Sequence, residues 1–222
     1  IMDTINNLAI DYITQENIDY FGRKVDTLWQ IIESKRNPDG TFGILPKWKI
    51  LSNYFTYQPG ELVAYKARRK QGKSVIAMNE AIDKAKSGLN VVYFDTEMRD
   101  ELFFTRLLSH MTQIPENRIK SGNYSHEERK ILDETMKYIK SLPLIHEYDP
   151  RWNRNNLVTQ AKILHNKGKL DFFIFDYVKD TSGKNTSSVE QYNELGYLCD
   201  AIKNDICGSL NVPGITFAQL NR

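Results

Sequence analysis

The sequence predicts an α/β fold with a mostly parallel sheet covered by helices. Two observations carry that expectation. Short apolar runs such as Asn90-Val91-Val92-Tyr93-Phe94 and Phe172-Phe173-Ile174-Phe175 lack the alternation of a half-exposed strand, and stretches of helical periodicity separate them. Strands buried on both faces and joined through helices are the mark of a parallel sheet. The chain of 222 residues is 41% hydrophobic and 26% charged. It is long enough to bury one sizeable core and too apolar to be disordered.

The elements follow in order. Residues 3–36 read as helical: Ile18, Phe21, Val25, Leu28, Ile31 and Ile32 fall at three-and-four spacing, leaving a charged face opposite. Asn37-Pro38-Asp39-Gly40 breaks the pattern, because proline and Asp-Gly both favour turns. Residues 1–41 are therefore expected to form a helical arm, and 42–222 a globular domain. Within that domain the expected strands are 62–66, 90–94, 144–146, 172–175 and 214–218. The expected helices are 74–87, ended by Gly88, then 100–112, 125–141, 155–167 and 190–210. Ser125-His126-Glu127-Glu128 is a capping sequence for the third of them. The polar stretch Thr181 to Ser188 reads as a mobile surface loop between a strand and a helix.

Composition excludes several function classes. Thirty basic residues against 28 acidic ones give a formal net charge of +2, so the chain does not coat nucleic acid through bulk positive charge. Cys199 and Cys207, eight residues apart, support neither a disulfide framework nor a zinc knuckle. The amino terminus shows no secretory signal, and no uncharged apolar run is long enough to span a bilayer. A reducing, cytoplasmic setting is expected, with no membrane partner.

Four patterns carry chemistry. The strand ending at Lys66 runs into Ala67-Arg68-Arg69-Lys70-Gln71-Gly72-Lys73-Ser74, and a helix follows. This is a phosphate-binding loop with alanine at its first glycine. Backbone N–H groups and the helix amino terminus cradle phosphate oxygens, and Gly72 lets the backbone approach them. Lys73 reaches the β- and γ-phosphates, and Ser74 ligates magnesium. Next, Phe94-Asp95-Thr96-Glu97-Met98 brings Glu97 to a strand's carboxyl end, where a carboxylate orients and deprotonates an attacking water. The bland alternative is a solvated loop glutamate. Asp95 competes for the role but is read as lying on the other side of the strand. Third, an apolar run ending in Asp176 is a Walker B pattern whose acid holds magnesium. Last, Gln219 closes the final strand, either as a γ-phosphate sensor or as an ordinary strand-end amide.

The combination resembles the RecA-like ATPase domain of DnaB-type replicative helicases. The matching stretches are Gln58-Pro59-Gly60-Glu61-Leu62, the loop at 67–74, Glu97-Met98 with Arg106-Leu107-Leu108, and the segment 118–125. Asp176-Tyr177, Leu210-Asn211-Val212-Pro213 and Gln219-Leu220-Asn221-Arg222 complete the series. The resemblance implies a RecA-like P-loop NTPase core working as a hexameric ring. It would hydrolyse ATP with Mg2+ at subunit interfaces, translocate on single-stranded DNA, and partner a primase or helicase loader in a bacterial cell or phage-infected host. It makes Glu97 the catalytic base, Asp176 the Walker B acid and Gln219 the γ-phosphate sensor. Lys179, Lys184 and Asn185 would lie near DNA, and the arm would pack on a neighbouring subunit. The other reading is a helicase-derived nucleotide-binding scaffold, loader or DNA-binding module without productive unwinding.

The sequence departs from that family at Ala67, at Arg69 and Lys70, and in the polar Val178-Lys179-Asp180. The family's arginine finger and last strands would follow Arg222, so the sequence is expected to be part of a longer protein. Unchanged Lys73 and Glu97 favour the motor over the scaffold.

Overall fold

The computed structural model describes residues 21–34, 36–38, 40–178 and 188–219. The chain divides into two compact units, residues 1–43 and 44–222. In the first, helix α1 (Phe21–Ser34) buries none of its residues. A turn follows in which the Asn37 side chain donates to Thr41 Oγ1 at 2.8 Å and to the Gly43 carbonyl at 2.9 Å.

The second unit is built on five strands: β1 (Leu62–Ala67), β2 (Val91–Asp95), β3 (Leu144–Tyr148), β4 (Phe172–Val178) and β5 (Gly214–Gln219). They form one sheet in the order β1-β5-β4-β2-β3, with every neighbouring pair parallel. The helices are α2 (Lys73–Lys86), α3 (Asp100–Thr112), α4 (Glu116–Ser121), α5 (His126–Ser141), α6 (Arg154–Asn166) and α7 (Ser188–Asp200). A π-helical stretch, Ala201–Gly208, continues α7. The α/β class and the parallel sheet are as expected. The short α4 and the π-helical stretch were not foreseen.

Alternation along the central strands explains why both faces are covered. Val91 and Tyr93 of β2, with Phe172 and Ile174 of β4, join one core that includes Ala77, Ala81 and Ala85 of α2 and Phe103 and Leu107 of α3. Val92, Phe94, Phe173 and Phe175 join the other, with Leu157 and Ala161 of α6 and Ile202 and Ile206 of the π-helical stretch. A strand with both side-chain sets buried must read as continuously apolar. The helix starts are encoded locally: Ser125 makes a reciprocal capping box with Glu128, and Asn153 does the same with Asn156.

Because all strands are parallel, their carboxyl ends share one edge. There the register pairs Ala67 with Gln219 and Asp95 with Asp176. With β5 and β4 between β1 and β2, four of the sequence-selected groups converge on that edge. Among the described residues no helix is long and apolar enough to cross a membrane.

Candidate nucleotide-binding site

The loop after β1 turns tightly and runs straight into α2. Lys70 has φ +61° and Gly72 φ +83°, and the Gln71 N–H donates to the Arg68 carbonyl at 3.3 Å. Left-handed backbone at Gly72 is what demands glycine, since a Cβ there would meet nothing within 4 Å. Gly72 is also the N-cap of α2, where no side chain caps the helix and no acid sits in the first turn. The first-turn N–H groups are thus left for an anion, with the helix dipole aligned to favour it.

That helix start opens on a cleft of about 320 Å³. Its walls are Arg69, Lys70, Gly72, Lys73, Ser74 and Val75 from the loop and α2, with Glu97, Arg106, Tyr177 and Gln219 facing them. Ala67, Arg68 and Gln71 belong to the loop but do not line the cleft. A second cavity of about 450 Å³ adjoins through Ser74, Val75 and Arg106, and Met78, Met98 and His110 help line it.

Lys73 is only 9% exposed, and its ammonium lies over the Tyr177 ring, 5.2 Å from the centroid. Asp176 is 2% exposed. Its Oδ2 accepts from the Tyr93 hydroxyl at 2.7 Å, while its Oδ1 is buried with no hydrogen-bond partner. Burial raises the Asp176 pKa to about 6; Tyr93 and the nearby Ser74 hydroxyl pull it down, and Asp95 and Glu97 push it up. No hydrogen bond of normal geometry joins Ser74 to Oδ1, so the oxygen stays unsatisfied despite that proximity. Burial also raises the Tyr93 phenol well above its usual range, with Asp176 and Asp95 adding to the effect.

Glu97 is exposed at the cleft and reaches it on a turn that Asp95 holds. Asp95 Oδ1 accepts from the Glu97 N–H at 2.7 Å and the Met98 N–H at 2.8 Å. Asp95 continues the alternation of Val91 and Tyr93, so it shares the face of α2 and α3. That corrects the expectation that it lies on the far side. Complete burial keeps it out of the cleft instead. The Thr96 N–H donates to the Asp176 carbonyl at 2.9 Å, tying the ends of β2 and β4 together. Gln219 is exposed at the end of β5 and lines the cleft.

The structure therefore brings Lys73, Ser74, Glu97 and Gln219 to one cleft, with Asp176 buried behind them. Lys179, Lys184 and Asn185, the expected DNA contacts, lie outside the described residues, as do Leu220, Asn221 and Arg222. Sequence reasoning assigned no role to Arg106 and Tyr177. Arg106 is braced by Met98, whose Sδ lies 3.2 Å from Nη1, and by Glu116, 3.6 Å from Nε. For Tyr177 the available signal was adjacency, since it directly follows Asp176; nothing local marks Arg106, which α3 carries to the cleft.

A Gly-Lys-Ser helix start on a parallel sheet, with acids at the neighbouring strand ends, is the arrangement of a RecA-like P-loop core. Two solved structures share this fold. One is the ATPase domain of G40P, with TM-score 0.77 and 20% identity, covering 93% of this chain and 73% of that one. The other is a DnaB-like replicative helicase described with its interactions with primase, with TM-score 0.76 and 19% identity, covering 100% and 54%.

The chain belongs to the DnaB-like helicase C terminal domain family, whose model matches residues 47–222. Among curated proteins, a replicative DNA helicase DnaB of Leifsonia xyli is 27% identical over 232 residues, covering 100% of this chain and 50% of that protein. One from Rickettsia typhi is 24% identical over 229 residues, covering 97% and 46%. The chain spans about half the length of these relatives.

Proposed function

We propose that this chain is the ATP-hydrolysing motor domain of a replicative DNA helicase, acting in a hexameric ring that translocates on single-stranded DNA and unwinds duplex. The observation that carries the reading is the pairing of a buried, half-bonded Asp176 carboxylate with the uncapped α2 start, across one cleft from Glu97.

Each residue has a task that its position supports. The first-turn N–H groups of α2 and the Lys73 ammonium hold the phosphates, with Arg69 and Lys70 adding cationic charge beside them. Glu97 takes the proton of the attacking water, and Gln219 senses the γ-phosphate by hydrogen bonding. Ser74 and Asp176 fit a magnesium ion, since a hydroxyl beside an unsatisfied buried carboxylate oxygen is a hard-oxygen donor set. Mg2+ bound there would neutralise charge on the β- and γ-phosphate oxygens. Tyr93 fixes Asp176 through Oδ2, leaving Oδ1 free to act.

Residues 1–41 serve as a linker arm and 42–222 as the ATPase domain. The exposed stripe Phe21, Val25, Leu28 and Ile32 is the surface offered to a neighbouring subunit. Lys179, Lys184 and Asn185 are proposed DNA contacts, and a primase or loader is the proposed cytoplasmic partner.

The test is ATP turnover with and without single-stranded DNA, beside Lys73→Ala and Glu97→Gln. DNA-stimulated turnover lost in both variants is expected, with Glu97→Gln still binding nucleotide. Binding without DNA-stimulated turnover in the parent protein would leave a scaffold rather than a motor.

A further inference from the structure

One imidazole outside the cleft touches both ends of the turn that presents Glu97. His146 comes from β3, paired in register with Tyr93 of β2. Its Nδ1 lies 2.8 Å from Asp100 Oδ1, and its Nε2 faces Asp95 Oδ2 at 3.5 Å. Both partners are carboxylates and only accept, so the ring holds the two together by presenting an N–H to each. The ring stacks on Phe103, with centroids 3.9 Å apart and an interplanar angle of 15°. With the imidazole side chain 9% exposed and Asp95 fully buried, neither partner has much room to choose another rotamer.

Asp95 ends β2 and Asp100 begins α3, so the two carboxylates bracket the segment that carries Glu97. Asp95 spends its other oxygen on the Glu97 and Met98 N–H groups. Its rotamer therefore sets the direction in which the turn leaves the strand. Without a partner for Oδ2 that rotamer is held from one side only. A buried carboxylate with a lost partner reorients or draws in water.

We propose that His146 is a positioning residue for Glu97, clasping Asp95 and Asp100 from β3 so that the turn between them aims Glu97 into the cleft. The inference rests on the reading of Glu97 as the base. Chemistry of this kind is sensitive to placement: a misplacement of about 1 Å in a reacting group costs up to roughly 100-fold in rate.

Three variants test it: His146→Phe, which keeps the stacking and loses both nitrogens, His146→Gln, which keeps one donor toward Asp95, and Glu97→Gln. Amide hydrogen exchange at Glu97 and Met98 is read first, as it needs no turnover. His146→Phe should speed both amides by about tenfold or more while leaving the central strands protected, with His146→Gln in between. In the ATPase assay, kcat should fall about 10- to 100-fold in His146→Phe at unchanged KM, and recover in part in His146→Gln. In a Glu97→Gln background, His146→Phe should cost nothing further, because the group it aims is gone.

Unchanged exchange at Glu97 and Met98 in both His146 variants would overturn the clasp. A loss that simply adds to that of Glu97→Gln would overturn its action through Glu97. Full turnover in Glu97→Gln alone would remove the base on which the proposal rests. Fast exchange in His146→Phe would then separate that failure from failure of the clasp.

Discussion

Burial draws the Asp176 pKa up from 3.8 to about 6, even though Tyr93 and Ser74 both favour its charged form. Folding therefore works against the ionised state that the proposed magnesium ligation needs. The native carboxyl holds its proton to about pH 6 and the unfolded one only to 3.8, so the native state binds more protons between those values. Stability from this group thus falls as pH rises through that window and is flat above it. Above the window, the ionised carboxylate costs the metal-free protein about 3 kcal/mol. Asp176→Asn removes the charge while leaving an oxygen for the Tyr93 hydroxyl. Thermal unfolding without metal or nucleotide should give a higher Tm for the variant at pH 8, a gain that disappears toward pH 4. Its magnesium-dependent turnover should be abolished. A variant no more stable than its parent at pH 8 would mean that Oδ1 is better solvated than its burial implies.

At the scale of elements, α2 carries a buried ion pair of its own. Lys84 Nζ lies 3.0 Å from Glu80 Oε2, and the two side chains are at most 2% exposed. Glu80 also accepts from the Lys47 N–H at 3.1 Å, and Lys84 lies over the Tyr57 ring at 5.6 Å from its centroid. The segment ahead of β1 is thereby fastened to the helix whose other end opens on the cleft. Lys84→Met strands the Glu80 charge and should cost about 3–5 kcal/mol in chemical unfolding, most of it recovered in Glu80→Leu/Lys84→Met. Equal losses in the single and double variants would show that the charge is not the cause. Sequence patterning reads such elements well where the signal is local. Ser125 and Gly88 mark helix ends, and Phe172 to Phe175 mark a central strand. It reads the strand, loop and helix around Gly72 well too, because the three are contiguous there. It fails where the determinant is a long-range pair. Nothing near Asp95 says that His146, 51 residues on, will face it, or that Tyr93 will bond Asp176 across β2 and β4. The expected helix 190–210 likewise gives no hint of its π-helical stretch. Its Lys203 donates to the Gly60 carbonyl at 3.1 Å, a contact 143 residues away in sequence.

For the whole molecule, the question is which residues the fold needs in order to stand. All three hydrophobic clusters of the described residues draw only on positions from Ile44 onward. Helix α1 contributes none of its residues to them, and its apolar stripe remains exposed. A helix of 14 residues is marginal alone in water, so its stability must come from burying that stripe elsewhere. Removing residues 1–43 should therefore leave a chain of 44–222 that unfolds in one cooperative transition. Its Tm should lie within about 2 °C of the parent's, because every cluster residue among those described lies at or after Ile44. Nucleotide binding should survive, since every residue lining the cleft lies beyond position 43. Self-association, followed by sedimentation with nucleotide present, should weaken sharply if the stripe is the surface a neighbouring subunit covers. Unfolding of the shortened chain would show that the stripe is buried against its own domain. Undiminished assembly of a folded, nucleotide-binding 44–222 would instead assign the subunit contacts to the ATPase domain itself.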